Sequence, residues 1–141
     1  MYIQPSLKDR VDQLLNSEKN MGDTLSIEFT SFKNDEIKAH MPVNENTIQP
    51  FGLLHGGASV ALAETLASVG AWLNIKEDDK MAVGVEINAN HMRPVRKGGH
   101  VKGISTPIHI GQHTQLWETK IYTNSNKLVC VSRCTLAVVN G

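Results

Sequence analysis

Apolar residues recur along this chain with two distinct periods, and the switch between them sets out the predicted elements. From Ser6 to about Glu18, Leu7, Val11, Leu14 and Leu15 fall at helical spacing; Ser6 is placed to cap this helix and Asp9 occupies the capping-box position. Met21-Gly22-Asp23 closes it. Leu25, Ile27 and Phe29 then alternate with polar residues as in a half-buried strand, Asn34-Asp35 signals a turn, and Glu36 to Pro42 completes a hairpin. A loop over residues 43–54 leads into the longest apolar stretch, Ala58 to Leu73, which predicts a long helix. Beyond Lys76-Glu-Asp-Asp-Lys80 the period becomes two, with Val83, Val85 and Ile87 on one face and Gly84, Glu86 and Asn88 on the other. Strands follow at about 100–110, 113–123 and 127–139, broken at Lys97-Gly98-Gly99, His109-Ile-Gly111 and Asn124-Ser-Asn126. Helix, two strands, long helix, four strands: this order predicts an α+β layer, an antiparallel sheet with one dominant helix lying on it.

Composition narrows the picture. The 141 residues predict one domain, 1–141, with enough chain for a sizeable core. Fourteen basic and fourteen acidic residues balance, which points to neither a nucleic-acid nor a membrane-surface partner. Cys130 and Cys134 lie four apart in a predicted strand, so they share a face, cannot easily pair, and lack the further ligands of a zinc site. Free thiols fit a reducing compartment. The N-terminal residues carry no secretory signature, and the longest apolar stretch contains Glu64, too costly for a membrane span. A cytoplasmic location is the expectation.

The chemistry concentrates around Glu64, set in the apolar helix that opens directly after His55-Gly56-Gly57. A carboxylate on the buried side of a helix loses solvation, which favours a proton acceptor near neutral pH. A Gly pair at a helix start leaves backbone N–H groups bare at the positive end of the dipole. Together they offer a base or nucleophile and an oxyanion site, a pairing suited to acyl transfer. Each part also has a plainer reading. A helical Glu can simply reach solvent, the Gly pair can be a tight turn, and Ser68 can be a small packing residue. Gln49 taken alone is an ordinary loop residue, and His91 and Arg93 can be a solvated strand end. His109 and His113 suggest no shared metal geometry, and no third ligand is obvious.

Four segments in order change that balance: Gln49-Pro-Phe-Gly-Leu-Leu-His55-Gly56-Gly57 through Glu64 to Ser68, Val85-Glu-Ile-Asn-Ala-Asn-His91-Met-Arg93, Pro107-Ile-His109-Ile-Gly111 and Gln115-Leu-Trp117-Glu118. In these the chain resembles the hotdog-fold acyl-CoA thioesterases, nearest the bacterial group of 1,4-dihydroxy-2-naphthoyl-CoA hydrolases and phenylacetate-pathway thioesterases. The resemblance implies a sheet wrapped around the long helix. It implies that Glu64 attacks the thioester carbonyl or activates the water that does, with the Gly56 N–H binding the developing oxyanion. It gives Gln49 a polarising role, His55 a supporting one, and Ser68 the orienting of carboxylate or water. It places coenzyme A contacts at Gly84, at His91, Met92, Arg93 and Pro94, and at His109, Ile110, Gly111, Gln112, His113 and Thr114. At the tip of that last turn the family often carries Ser or Arg, where this chain has Gln112-His113. Coenzyme A enters as part of the substrate, and neither metal nor attached cofactor is implied. The hydrolases of menaquinone biosynthesis come first, with a broad proofreading thioesterase and a non-catalytic acyl-CoA sensor as alternatives. A dehydratase of the same fold is disfavoured because Gln49 stands roughly where its basic His would be.

One spacing carries a quaternary expectation. Eight residues of helix separate Gly56 from Glu64, about 12 Å at about 1.5 Å per residue. A general base must come within about 3 Å of its proton, so one copy of the motif cannot hold both sides of one carbonyl. Two copies running antiparallel across a two-fold axis can. The expectation is a homodimer sharing two sites, and the resemblance implies pairing into a tetramer.

Overall fold

The computed structural model describes residues 1–141. Its centre is helix α3 (Gly56–Leu73), which lies against a seven-stranded sheet. The strands are β1 (Tyr2–Ile3), β2 (Glu28–Lys33), β3 (Glu36–Pro42), β4 (Lys80–His91), β5 (His100–Ile110), β6 (Thr114–Thr123) and β7 (Leu128–Asn140). They run in the order β1-β2-β3-β5-β6-β7-β4, antiparallel throughout except for the short parallel β1–β2 pair. Strand β4 comes directly after the helix, crosses to the far side of β7, and forms an edge of the sheet.

The strands of the second half expose their logic in alternation. Val101, Gly103 and Ser105 of β5, Gln115, Trp117, Thr119 and Ile121 of β6, and Cys130, Ser132, Cys134 and Leu136 of β7 are buried, while their neighbours face outward. Both cysteines are unpaired and share the helix-facing side, as their spacing predicts. The helix is apolar on most of its circumference because it is buried on most of it. Leu62, Leu66, Ala67 and Ala71 are fully enclosed, whereas Val60, Ala61, Glu64, Thr65 and Ser68 form a half-covered stripe.

Close approach of helix and sheet depends on missing side chains. An ideal Cβ at Gly70 would lie 2.6 Å from the Trp117 ring, and one at Gly103 would lie 2.8 Å from Leu66. Polar tethers then fix the helix along its axis: Gln115 Nε2 donates to the Ala71 carbonyl (3.0 Å), and Trp117 Nε1 donates to Gln115 Oε1 (2.8 Å). Thr119 Oγ1 lies 3.4 Å from the Ala63 carbonyl and 2.9 Å from Ser105 Oγ. These groups satisfy one another inside the core, where an unpaired partner would be costly.

Three local expectations need correction. The first helix is shorter than its pattern: α1 covers Lys8–Leu15 after a 3₁₀ turn at Pro5–Leu7, and Ser6 and Asp9 form no cap. Met21-Gly22-Asp23 does not end a helix but begins one. Asn20 Oδ1 accepts from the Gly22 N–H, and Asp23 Oδ2 accepts from the Asn20 N–H, a capping box that starts the short α2 (Met21–Thr24). Leu25 and Ile27 consequently lie in the connection, where Ser26 takes a positive φ of 58°, and β2 starts only at Glu28. In β4 a bulge between Gly84 and Glu86 inserts Val85, so Val83 and Val85 are exposed while Ile87 turns toward the core.

Gly70→Ala sets two effects against each other. Helix propensity favours Ala by about 1 kcal/mol, whereas overpacking a tight core costs about 1–3 kcal/mol. Because the obstructing group is a fully buried ring, the clash should prevail and the urea midpoint should fall. An unchanged or higher midpoint would show that the ring yields without cost.

Candidate active site

The entry to α3 explains which backbone donor is free. His55 is the N-cap, in extended conformation, and its Nδ1 accepts the Gly57 N–H at 2.7 Å. The Ala58 N–H donates to the His55 carbonyl. Of the Gly pair, only the Gly56 N–H is left without a partner in the chain, at the positive end of the helix. This sharpens the sequence expectation of bare N–H groups to a single donor and gives His55 a defined part in it. With Nδ1 accepting, the neutral ring carries its proton on Nε2. At Gly56 a Cβ would come 3.0 Å from Nε2 of the exposed His91 side chain, so glycine leaves that ring room.

Gln49 stands across the same opening. Its Oε1 accepts from the Phe51 N–H (2.6 Å) and more weakly from that of Leu53 (3.3 Å), closing a turn in which Gly52 adopts φ 79°. The amide oxygen is thereby engaged, and the Nε2 hydrogens are left as donors. The 49–54 turn is zipped to the chain after β4 by Leu54 N–H to Val95 O and Lys97 N–H to Gly52 O. The resulting cleft, about 350 Å³, gathers Gln49, Gly56, His91, Met92, Arg93 and Pro94. Strand β4 ends at His91, so Arg93 lies beyond the strand instead of sharing its face, yet both residues line this cleft.

Glu64 opens onto a different cleft, two helical turns further along, lined by Gly57, Val60, Ala61, Thr65, Ser68 and Val69 of α3 and by Met21 of α2. Glu64 is half-buried and Ser68 lies on its face, as the i+4 spacing predicts. The carboxylate rests on β4. A Cβ at Gly84 would come 2.7 Å from Glu64 Oε2, so Gly84, beside the bulge, provides the space the carboxylate occupies. Burial, then the Glu64 charge and then that of Glu86, push the Cys134 thiol beneath up to about 12. A thiol so held stays protonated and takes no part as a nucleophile at neutral pH.

The remaining sequence candidates lie elsewhere. The turn from His109 to Thr114 sits at the other end of the helix: Ile110, Gly111 and Gln112 line a cleft with Asn74, Ile75, Lys76 and Glu77. One chain therefore does not bring this turn to His91 and Arg93, because the length of α3 stands between them. Phe51 is 87% exposed and lines none of these clefts. Met21, which lines the Glu64 cleft, is not among the sequence candidates. Its signal was Asn20 followed three residues later by Asp23, the sequence form of a helix start. No three His, Cys, Asp or Glu residues are grouped closely enough to hold a metal ion, and no helix is long and apolar enough to cross a membrane.

Comparison with known proteins fits this arrangement. Residues 51–130, which contain α3 and most of the sheet, match the model of the thioesterase superfamily. The 1,4-dihydroxy-2-naphthoyl-CoA hydrolase of Escherichia coli is 46% identical over 122 residues, 86% of this chain and 88% of that protein. The proofreading thioesterase EntH of Cronobacter turicensis is 47% identical over 115 residues, 82% of each chain. Among solved structures, a thioesterase from Haemophilus influenzae superposes with a TM-score of 0.84 at 48% identity, covering 94% of this chain and 90% of that one. A helix with a lone carboxylate and one free N-terminal donor, wrapped by an antiparallel sheet, thus has its family: the chain belongs to the thioesterase superfamily, as a thioester hydrolase of the hotdog fold.

Proposed function

We propose that the chain hydrolyses acyl-CoA thioesters at a site shared by two copies, and that Glu64 of one faces Gly56 of the other. The observation that carries this reading is the division of the machinery between two clefts on one helix. Gly56 and Gln49 offer N–H donors in one, and Glu64 with Ser68 lies about 12 Å along the helix in the other. The free edge of β4 supplies a route to pairing. It is twelve residues long and carries exposed Met81, Val83 and Val85, and an open apolar edge of this kind invites a partner strand. Helix α3 runs antiparallel to β4, its start lying by His91 where β4 ends. Antiparallel pairing of two β4 edges therefore sets the two helices antiparallel, the donor end of each toward the carboxylate of the other. The same pairing carries the His109–Thr114 turn of one copy toward Arg93 of the other, which supports a coenzyme A path built from both. Two such dimers form the tetramer of this reading.

Chemically, the Gly56 N–H and the Gln49 amide polarise the thioester carbonyl and hold the oxyanion as charge develops. Glu64 either removes a proton from the water that adds to that carbonyl, or adds to it itself. Collapse of the adduct expels the CoA thiolate, which leaves as the thiol after protonation. In the second case water then cleaves the acyl–Glu64 anhydride to release the acid and restore the carboxylate. Arg93 and His91 face the phosphates, for which cationic and N–H donors are suited. An aromatic acyl group, 1,4-dihydroxy-2-naphthoyl first, is the substrate we assign, in the cytoplasm, where the free cysteines and coenzyme A fit. A broad proofreading role is favoured by an equal likeness to EntH.

Thiol release from a panel of aryl- and alkyl-CoA thioesters separates these readings. Wild type should turn over at least one of them, a sharp preference for the naphthoyl ester marking a dedicated hydrolase and a flat profile a proofreading enzyme. Glu64→Ala should reduce kcat by about a thousandfold or more. Silence of the wild type on the whole panel would sink the assignment, and an active Glu64→Ala would remove Glu64 from it. Sharing is tested by mixing chains. Glu64→Ala and Gly56→Pro homodimers should each be nearly inactive, whereas the mixed dimer should regain one working site; a mixed dimer no better than either parent excludes a shared site. Gly84→Ala distinguishes support of Glu64 from contact with coenzyme A. Displacing the carboxylate by about 1 Å should cut kcat by about a hundredfold with KM little changed, and a rise in KM alone would return Gly84 to the coenzyme A path.

A further inference from the structure

The chain before β2 forms an arm outside the residues matched to the family model. It is tied to the body through Arg10 and ends in a self-capped helical turn. Arg10 Nη1 donates to the Trp72 carbonyl (2.6 Å) at the C-terminus of α3, where a cation suits the helix dipole, and its guanidinium lies 5.4 Å from the centre of the Trp72 ring. At the far end the Asn20–Asp23 capping box fixes α2, which places Met21, 63% exposed, on the cleft that holds Glu64.

Behind Met21 the arm and β2 enclose a further cleft of about 400 Å³ against α3. Its apolar wall is made by Leu14, Leu15, Ile27 and Phe29, with Val69 from the helix. Thr65 and Val69 line both this cleft and that of Glu64, so the two are continuous along one face of α3. The polar groups here are already committed. Thr65 Oγ1 donates to the Ala61 carbonyl, Ser17 Oγ to the Leu14 carbonyl, and the Asn20 amide to the Glu18 carbonyl. Among the side chains lining it the only charged ones are the carboxylates Asp23 and Glu28; Met1 also lines it, and no Lys, Arg or His side chain offers a counter-charge. Such walls suit an uncharged hydrocarbon or aryl group and disfavour an anion.

We propose that this cleft is the distal half of the acyl site. The part of the acyl group remote from the thioester runs from Glu64 along Thr65 and Val69 and under Met21, whose soft, unbranched side chain sets how much of it passes. The assignment rests on the acyl-CoA thioesterase reading above and adds a specificity element carried by the arm.

The test is kcat/KM for butanoyl-, octanoyl- and dodecanoyl-CoA, and for the octanoyl analogue with a terminal carboxylate, on wild type, Met21→Ala and Leu15→Trp. Met21→Ala should raise the dodecanoyl-to-butanoyl ratio about tenfold, and Leu15→Trp should lower it about tenfold, with butanoyl-CoA within about twofold in the Leu15 variant. The carboxylated ester should react at least about tenfold more slowly than octanoyl-CoA in wild type. Met21 is exposed, so its truncation leaves the core intact and carries the test even where the Trp variant folds poorly. Ratios unmoved in Met21→Ala, equal changes at every chain length, or equal turnover of the two eight-carbon esters would overturn the cleft assignment alone. No turnover of any ester by wild type would overturn the thioesterase reading, and this assignment with it.

Discussion

The rise of α3 between Gly56 and Glu64 is the constraint on which the proposed chemistry depends. A helix is stiff on this scale, so a carboxylate two turns from the free N–H stays about 12 Å from it whatever the side chains do. Electrostatic stabilisation of an oxyanion needs donors at about 3 Å, as does proton removal from an attacking water. Within one chain these two requirements are met at two places, not one. The edge position of β4 then acquires significance, because the strand against which Glu64 rests pairs with β7 on one side and leaves its other edge free. A second copy docked there would complete both the sheet and the site.

The sheet in turn holds the helix where that geometry requires. Gly70 beneath Trp117 and Gly103 beneath Leu66 let the two layers close, and Gln115 and Thr119 take helix carbonyls that fix the axial position. Axial position matters because Glu64 follows directly from Ala63, the residue whose carbonyl Thr119 approaches. The bulge at Val85 does the complementary work on β4. It adds a residue so that Gly84 underlies the carboxylate while Ile87 re-enters the core. These residues look like packing and act as alignment.

Much of this was legible in the chain. The central helix, the hairpin turn at Asn34-Asp35 and the last three strands follow from periodicity within a residue or two, because each buries one face and its pattern reports that burial directly. The misreadings have specific causes. Ser6 and Asp9 have the composition of a cap, but the chain enters α1 through a 3₁₀ turn, and propensity cannot distinguish the two. A one-residue bulge is invisible to a period-two pattern, which is why Val83 and Ile87 were placed on one face. The candidate residues themselves were found, but not their grouping. Gln49, Gly56 and His91 through Pro94 come together, and so do Glu64, Ser68 and Gly84, while His109 through Thr114 stands apart. Which of two adjacent N–H groups stays free was equally unreadable, since it depends on a ring nitrogen of His55.

The division of the chain into a matched region and an arm suggests how such a site can change substrate without losing its chemistry. Donors, carboxylate and their supports lie on α3, the 49–54 turn, β4 and the sheet behind them, where a shift of about 1 Å is costly. The arm contributes no residue to the Gly56 and Gln49 cleft, and only Met21 to that of Glu64. It is attached by Arg10, its α2 turn is capped by its own Asn20 and Asp23, and it brings Leu14, Leu15 and Met21 to the clefts along the face of α3 beside Glu64. On the proposed reading, substitutions there would change the volume and polarity open to an acyl group while leaving the helix, and therefore the distance from Gly56 to Glu64, as they are. In that reading a rigid α3 and an adjustable arm would separate the reaction performed from the choice of acyl group on which it is performed.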